Sequence, residues 1–179
     1  MPCPETEETE RTLRPAITPR PRNGAPSPGA LRVLIVAACF PPYGWGGAEV
    51  AAEGIGKWLA ENGHEVAIYT DVSPADAAAR SADGKTWFAP ASDKWSHRTH
   101  QHGKQGALKK ALWHLLDHTP GRGSSDFREV AETFQPDVVM VHLAPGLGIG
   151  LFDYCARHDL PVLYVVHDFW LGCLRSSMF

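Results

Sequence analysis

Two histidines in this chain stand where apolar runs end, and a glycine-rich phrase stands where a third run ends. Val138-Val139-Met140-Val141 leads into His142, and Val162-Leu163-Tyr164-Val165-Val166 leads into His167-Asp168. Leu31–Ala38 leads into Cys39-Phe40-Pro41-Pro42-Tyr43-Gly44-Trp45-Gly46-Gly47. An imidazole donates to a sugar hydroxyl or a phosphate oxygen and titrates near neutrality, so either histidine suits a polar ligand. Asp168 adds a carboxylate that can orient one. Gly44, Gly46 and Gly47 let a ligand approach the main chain. A helix opening near Ala48 then offers free amides and a positive dipole end, which suit a phosphate. The plainer alternatives are a tight turn at the glycines and histidines that cap local backbone.

Other chemistries fit the residue pattern less well. Gly44-Trp45-Gly46 opens a dinucleotide fingerprint, but Glu49 replaces its third glycine and Pro41-Pro42 lengthens the turn. Asp71, at the end of the next apolar run, is placed to bind a ribose hydroxyl, so a nicotinamide-binding domain stays as an alternative. Gly56-Lys57 has no glycine five residues upstream, which removes a Walker loop. His114 and His118 share a helical face without the glutamate of a zincin, since Leu115 stands there. A zinc site would have to join them to His97, His100 and His102, and solvated histidines are the simpler reading. There is no Gly-x-Ser-x-Gly nucleophile elbow and no paired-carboxylate arrangement.

The elements that must position these residues follow from periodicity. Leu31–Ala38 is too continuously apolar for a strand with one wet face and reads as a central parallel strand. Ala48, Ala51, Ile55, Trp58 and Leu59 make the inward stripe of a helix over 48–62, and Gly63 follows as its C-cap. Gly54 and Gly56 cost helix propensity and suggest close packing on a sheet. Val66–Thr70 is a second strand, and strand–helix–strand implies a parallel βαβ unit. From Asp71 to Gly106 the pattern dissolves into a long excursion, with a short strand near Trp87. A helix over 107–118 is expected to turn Leu108, Leu112, Leu115 and Leu116 inward and Lys109 and Lys110 outward. Asp126 and Glu129 have capping-box spacing, and Phe127, Val130, Ala131 and Phe134 form the stripe of the helix they open. Val138–Val141, a glycine-rich turn over Pro145–Gly150, a helix ending near His158 and the strand Val162–Val166 complete the pattern. The fold class is α/β, an open parallel sheet flanked by helices, and ligands in such sheets bind at the carboxyl ends of the strands.

Composition narrows the function class. The chain has 179 residues and a formal charge of −3, so nothing draws it generally toward nucleic acid. Its four cysteines form no Cys-x-x-Cys pair, which points away from a zinc ribbon and toward a reducing compartment, with cytoplasmic placement as the expectation. No apolar run is long enough to span a membrane, and the start of the chain does not read as a signal peptide. Residues 1–30 form a proline-rich tail in which Glu5, Glu7, Glu8 and Glu10 precede Arg11, Arg14, Arg20 and Arg22. Such a segment buries too little to repay its ordering entropy and is expected to be disordered. Folded sequence occupies 31–179. An apolar strand a dozen residues before Phe179 would be left as an exposed edge, so the domain reads as incomplete or completed by another chain.

With these residues in place, Phe40–Val50, the Gly63-His64-Glu65-Val66 turn, Pro136–His142 and Val162–Cys173 resemble, in order, the N-terminal, acceptor-side domain of GT-B glycosyltransferases of the retaining family 4 group. The resemblance implies a Rossmann-like domain, half of a two-domain enzyme. It implies transfer of a sugar from a nucleotide-sugar donor to an acceptor hydroxyl with retention, without a metal or other cofactor. By position, Gly46 and Gly47 match a glycine loop near the donor diphosphate, and His167 matches a strand-end histidine near the reacting centre. Glu49, His142 and Asp168 fall on the acceptor side or in orienting positions. The partners implied are the donor, an acceptor that is a saccharide, a lipid or a small molecule, and a C-terminal donor-binding domain with its Glu-x7-Glu phrase. Without that domain the chain is expected to be inactive. Peripheral membrane contact through Lys104, Lys109 and Lys110 near Leu108 is also implied. A non-catalytic module using the same cleft is the remaining alternative.

Overall fold

The computed structural model of the chain describes residues 29–41, 46–71, 86–88, 104–121 and 123–168. The tail up to residue 28, residues 42–45 of the glycine phrase, the excursion histidines His97, His100 and His102, and everything from Phe169 onward lie outside the described residues.

Five strands form one parallel sheet: β1 (Arg32–Ala37), β2 (Glu65–Thr70), β3 (Thr86–Phe88), β4 (Val138–Leu143) and β5 (Val162–Tyr164), in the order β3-β2-β1-β4-β5. The short strand expected near Trp87 is β3, paired parallel to β2. The central position expected for the first apolar run also holds. β1 lies between β2 and β4, and from Val33 to Ala37 every residue is buried. The arrangement is an open, Rossmann-like α/β sheet, with the strand order reversing direction between β1 and β4.

Helices cover both faces. On one, Leu34, Val36, Tyr69, Val139 and Val141 pack against α3 (Ser124–Phe134) and α4 (Gly150–Arg157). The stripe foreseen for α3 is realised in full, because Phe127, Val130, Ala131 and Phe134 are all buried. On the other face, Val33, Ile35, Ile68 and Val138 meet α1 (Gly47–Glu61). The α1 stripe is rotated from the expected one: Ala52 and Gly56 are buried and Trp58 is exposed. Gly56 explains the shift, since a Cβ there would stand 3.1 Å from Ile35 Cδ1. The helix approaches the sheet through the glycine, and Trp58 then lies off the contact. Gly54 has no such neighbour.

Two further expectations are corrected. In α2 (Ala107–Asp117) the inward residues are Trp113 and Asp117, whereas Leu108 is 84% and Leu115 63% exposed. A single Trp outweighs the leucine stripe because Trp113 and Asp117, four residues apart, share the face with internal partners. The capping box at Asp126 does not form, because α3 begins earlier, at Ser124, with Gly123 as its N-cap and no side-chain cap. Gly63, at φ +84°, does end α1 as expected.

The amino ends of the strands are tied by polar contacts away from the site. Asp137 Oδ2 accepts from the Arg32 amide at 2.7 Å, and His64 Nδ1 accepts from the Leu31 amide at 3.0 Å. Such bonds satisfy backbone groups that a buried strand end would otherwise orphan. At the sheet's other margin, Val162 and Leu163 of β5 are exposed among the described residues.

Candidate functional site

In a parallel sheet all carboxyl ends share one edge, so the fold alone gathers the candidate residues. Gly46, Gly47 and Glu49 follow β1, His142 ends β4, and His167 and Asp168 follow β5. β1 and β5 flank β4, two strand spacings or about 10 Å apart. Gly46 and His167 therefore lie on the same edge, beside the reversal of strand order where ligands of such sheets bind.

The β1 side of this edge is negatively charged. Ala38 O, just past β1, accepts from Thr70 Oγ1 and from the Asp71 amide, both at 3.2 Å, which draws the end of β2 toward it. Asp71, the residue a nicotinamide reading needs, is only 2% exposed. Cys39 sits among carboxylates: burial first, then Glu49 and Asp71, pushes its thiol up to about 11. It is therefore a neutral thiol at physiological pH and no nucleophile.

Gly46 is the N-cap of α1, in extended conformation (φ −134°, ψ 176°). A Cβ on Gly46 would overlap the Glu49 carboxylate, so that carboxylate stands over the amino end of the helix. A negative group there is favoured by the helix dipole. The sequence alone read the glycines as room for a ligand; at Gly46 the room is used by the chain's own side chain. Gly47 differs, since a Cβ on it would meet nothing within 4 Å.

His142 is placed by an irregularity of the sheet. Val36 pairs with Val141 but Ala37 pairs with Leu143, so His142 is an extra residue on β4, a β-bulge. Bulges re-aim side chains, and this ring is fully buried and reaches the adjacent strand's end. Its Nδ1 lies 3.0 Å from His167 Nε2, with ring centroids 5.2 Å apart. The ladder bond from the Val165 amide to Val141 O, at 2.8 Å, carries the chain past β5 to that position. His142 Nε2 is buried and has no hydrogen-bond partner among the described residues. His167 itself is exposed and Asp168 half-buried. Burial, followed by Asp168, raises the Tyr164 phenol above its ordinary range, which keeps it neutral.

The glycine turn after β4 is not an open anion nest. Asp117 Oδ1 accepts from the Gly146 amide at 2.9 Å and the Gly148 amide at 3.1 Å. The amides a ligand would use are thus held by a buried carboxylate of α2. The helical histidines do not form the other half of a metal site among the described residues: His118 Nδ1 lies 3.0 Å from His114 O, and no group of three potential ligands occurs there.

A family model for glycosyltransferase family 4 matches residues 45–177, a span that contains every candidate residue from Gly46 to Asp168. The chain belongs to glycosyltransferase family 4. Over 143 residues this family 4 chain is also 24% identical to an uncharacterized 42.6 kDa protein in a cps region of Klebsiella pneumoniae. That alignment covers 79% of the chain and 38% of the relative, so the chain spans well under half the length of the curated relative it matches. Among the described residues of the family 4 domain, no helix is long and apolar enough to cross a membrane.

The buried histidine gives the domain a pH signature. Burial, then the neighbouring His167, pushes the His142 imidazole from 6.5 down to about 4. Above pH 6.5 both folded and unfolded chains hold it neutral and nothing is lost. As pH falls toward 4 the unfolded chain takes the proton first, so stability falls across that window. The wild-type domain is expected to lose about 2 kcal/mol more than His142→Asn between pH 7 and pH 4.5. Urea midpoints of both proteins at the two pH values check this; equal losses would mean that His142 is not held neutral.

Proposed function

We propose that this domain serves a retaining glycosyltransferase that moves a sugar from a nucleotide-activated donor to an acceptor hydroxyl. The observation that carries this reading is the family match across the edge that Gly46 and His167 share. In this reading the donor diphosphate lies by the amino end of α1, over Gly47, where the backbone is open. His167 stands at the reacting centre as a hydrogen-bond donor, His142 and Asp168 orient it and the acceptor, and Glu49 holds the start of α1.

The chemistry suits such a surface. A transition state with oxocarbenium character and a departing diphosphate asks for positioned donors more than for a strong base. With Glu49 and Asp71 on the β1 side, backbone amides and the imidazole are the groups among the described residues that can face new negative charge. No metal or cofactor is called for. The nucleotide would be gripped by a second, C-terminal domain, and the reaction would take place in the cytoplasm. The acceptor is a saccharide, a lipid or a small molecule. The outward leucines of α2, with Lys104 and Lys109 beside them, support peripheral contact with a membrane that would carry a lipid acceptor.

Gly46→Asp tests the placement of the donor. The added Cβ meets the far end of the flexible Glu49 side chain, which can swing away, so the fold is expected to survive. A second carboxylate at the helix start repels a diphosphate by roughly 1–2 kcal/mol. Calorimetric titration of the intact protein with uridine- and guanosine-diphosphate sugars should therefore show affinity about five- to thirtyfold weaker than wild type. Unchanged affinity would remove the diphosphate from this loop.

A further inference from the structure

The two histidines share one hydrogen bond, and the burial of one ring decides which nitrogen carries the proton. His142 Nδ1 and His167 Nε2 are 3.0 Å apart, so one donates and the other accepts. If His142 Nδ1 accepted, the neutral His142 ring would carry its proton on Nε2, which is buried without a partner among the described residues. That would be a buried N–H with no acceptor, the rarest kind of unsatisfied group. If His142 Nδ1 donates, Nε2 is a bare lone pair, the milder deficit. Protonating both nitrogens of His142 is opposed by its burial and by the neighbouring ring, which push its pKa down to about 4.

We propose that His142 is a positioning residue: it donates from Nδ1 to Nε2 of His167 and thereby holds His167 as the Nδ1–H tautomer. The one remaining polar atom of His167 is then an N–H on an exposed ring, without a partner among the described residues. It offers a hydrogen bond to an oxygen of the ligand and cannot accept a proton from it. In the oxygen ligand this step rests on the sugar-transfer reading; in the tautomer it rests on the histidine pair alone. The bulge at His142 has a purpose on this account, since in-register pairing would leave β4 without the extra residue that meets His167.

The test is the nitrogen spectrum of the intact protein labelled with ¹⁵N-histidine, recorded at pH 8 without ligand. His167 is assigned by its loss in His167→Ala. In the wild type its Nδ1 should read as protonated and its Nε2 as unprotonated, in a ratio of about fivefold or more, as expected for avoiding one orphaned buried donor. His142→Phe, which keeps a ring but removes the donor, should return His167 to the Nε2–H form that a free imidazole prefers. His142→Asn, whose amide nitrogen takes the place of Nδ1, should restore the Nδ1–H form. A wild-type His167 protonated on Nε2 overturns the proposal, and so does an unchanged tautomer in His142→Phe. Should His142→Phe not fold, the wild-type spectrum and His142→Asn still decide. Adding a nucleotide sugar afterwards separates the two readings: if the tautomer is as stated and His167 does not respond to any donor, the positioning role stands and the sugar-transfer reading fails.

Discussion

If the proposed sugar transfer is right, replacing His167 by alanine in the intact protein is expected to lower kcat/KM by about 10²–10³-fold, with stability changed by less than about 1 kcal/mol. The small structural cost follows from its position. The ring is exposed, lies beyond the last ladder bond of β5, and has one hydrogen bond among the described residues, to His142. The large catalytic cost follows from the surroundings. Glu49 and Asp71 make the β1 side of the edge negative, so among the described residues few groups there can face the departing diphosphate of the proposed reaction or the sugar oxygens next to it. A positioned donor in such a place is worth about 3–4 kcal/mol when it acts chiefly in the transition state. The loss should therefore fall mainly on kcat. His167→Asn should retain more activity than His167→Gln, because the asparagine amide nitrogen overlies Nδ1 and that of glutamine overlies Nε2. Steady-state kinetics on the three variants, with urea midpoints alongside, check this. Equal kcat in wild type and His167→Ala would take the residue out of the reaction.

Much of this arrangement is legible in residue order. The apolar run before Cys39 has no polar alternation, and burial on both faces is the only way to accommodate it. With helices between the runs, handedness makes the strands parallel, and parallel strands put Gly46, His142 and His167 on one edge. The missed features share a physical cause: each depends on a partner distant in sequence. His142 meets His167 across 25 residues, and Asp117 meets Gly146 and Gly148 across 29 and 31. Hydrophobic periodicity cannot separate an aspartate that receives backbone amides from one that faces water. It misorients α2 for this reason, because counting leucines ignores that Asp117 can be an inward residue. One signal was available: a carboxylate in the last turn of a helix opposes the dipole, so a position four after Trp113 needed donors from elsewhere. The bulge at His142 had no such signal, since one extra residue in a strand leaves the apolar pattern of Val138–Val141 intact.

Asp117→Ala should cost the fold about 3 kcal/mol and lower the thermal midpoint by roughly 6–12 °C. Its Oδ1 accepts from both the Gly146 and Gly148 amides, and Asp117 is fully buried, so truncation leaves two donors with no access to water. Orphaning each costs about 1–3 kcal/mol. The same turn is braced from the other side. Gly123, at φ +80°, starts α3 directly against it, and a Cβ there would run into the Leu147 carbonyl. The Asp117 main chain adds a third tie, its carbonyl accepting from the Ile149 amide at 3.1 Å. With so many constraints the turn cannot relax toward solvent to recover its hydrogen bonds, so the full penalty should appear. Asp117→Asn keeps an oxygen in the place of Oδ1 but loses the charge, and should cost about 1 kcal/mol, the difference between an ionic and a neutral acceptor. The turn links β4 to α4, so its loosening should also reach His142 at the end of β4. In Asp117→Ala, donor affinity should fall even at temperatures where the protein stays folded, whereas Asp117→Asn should bind almost as wild type. Equal stability of Asp117→Ala and wild type would mean that the amides of the turn find water, and the turn would then be free to serve a ligand.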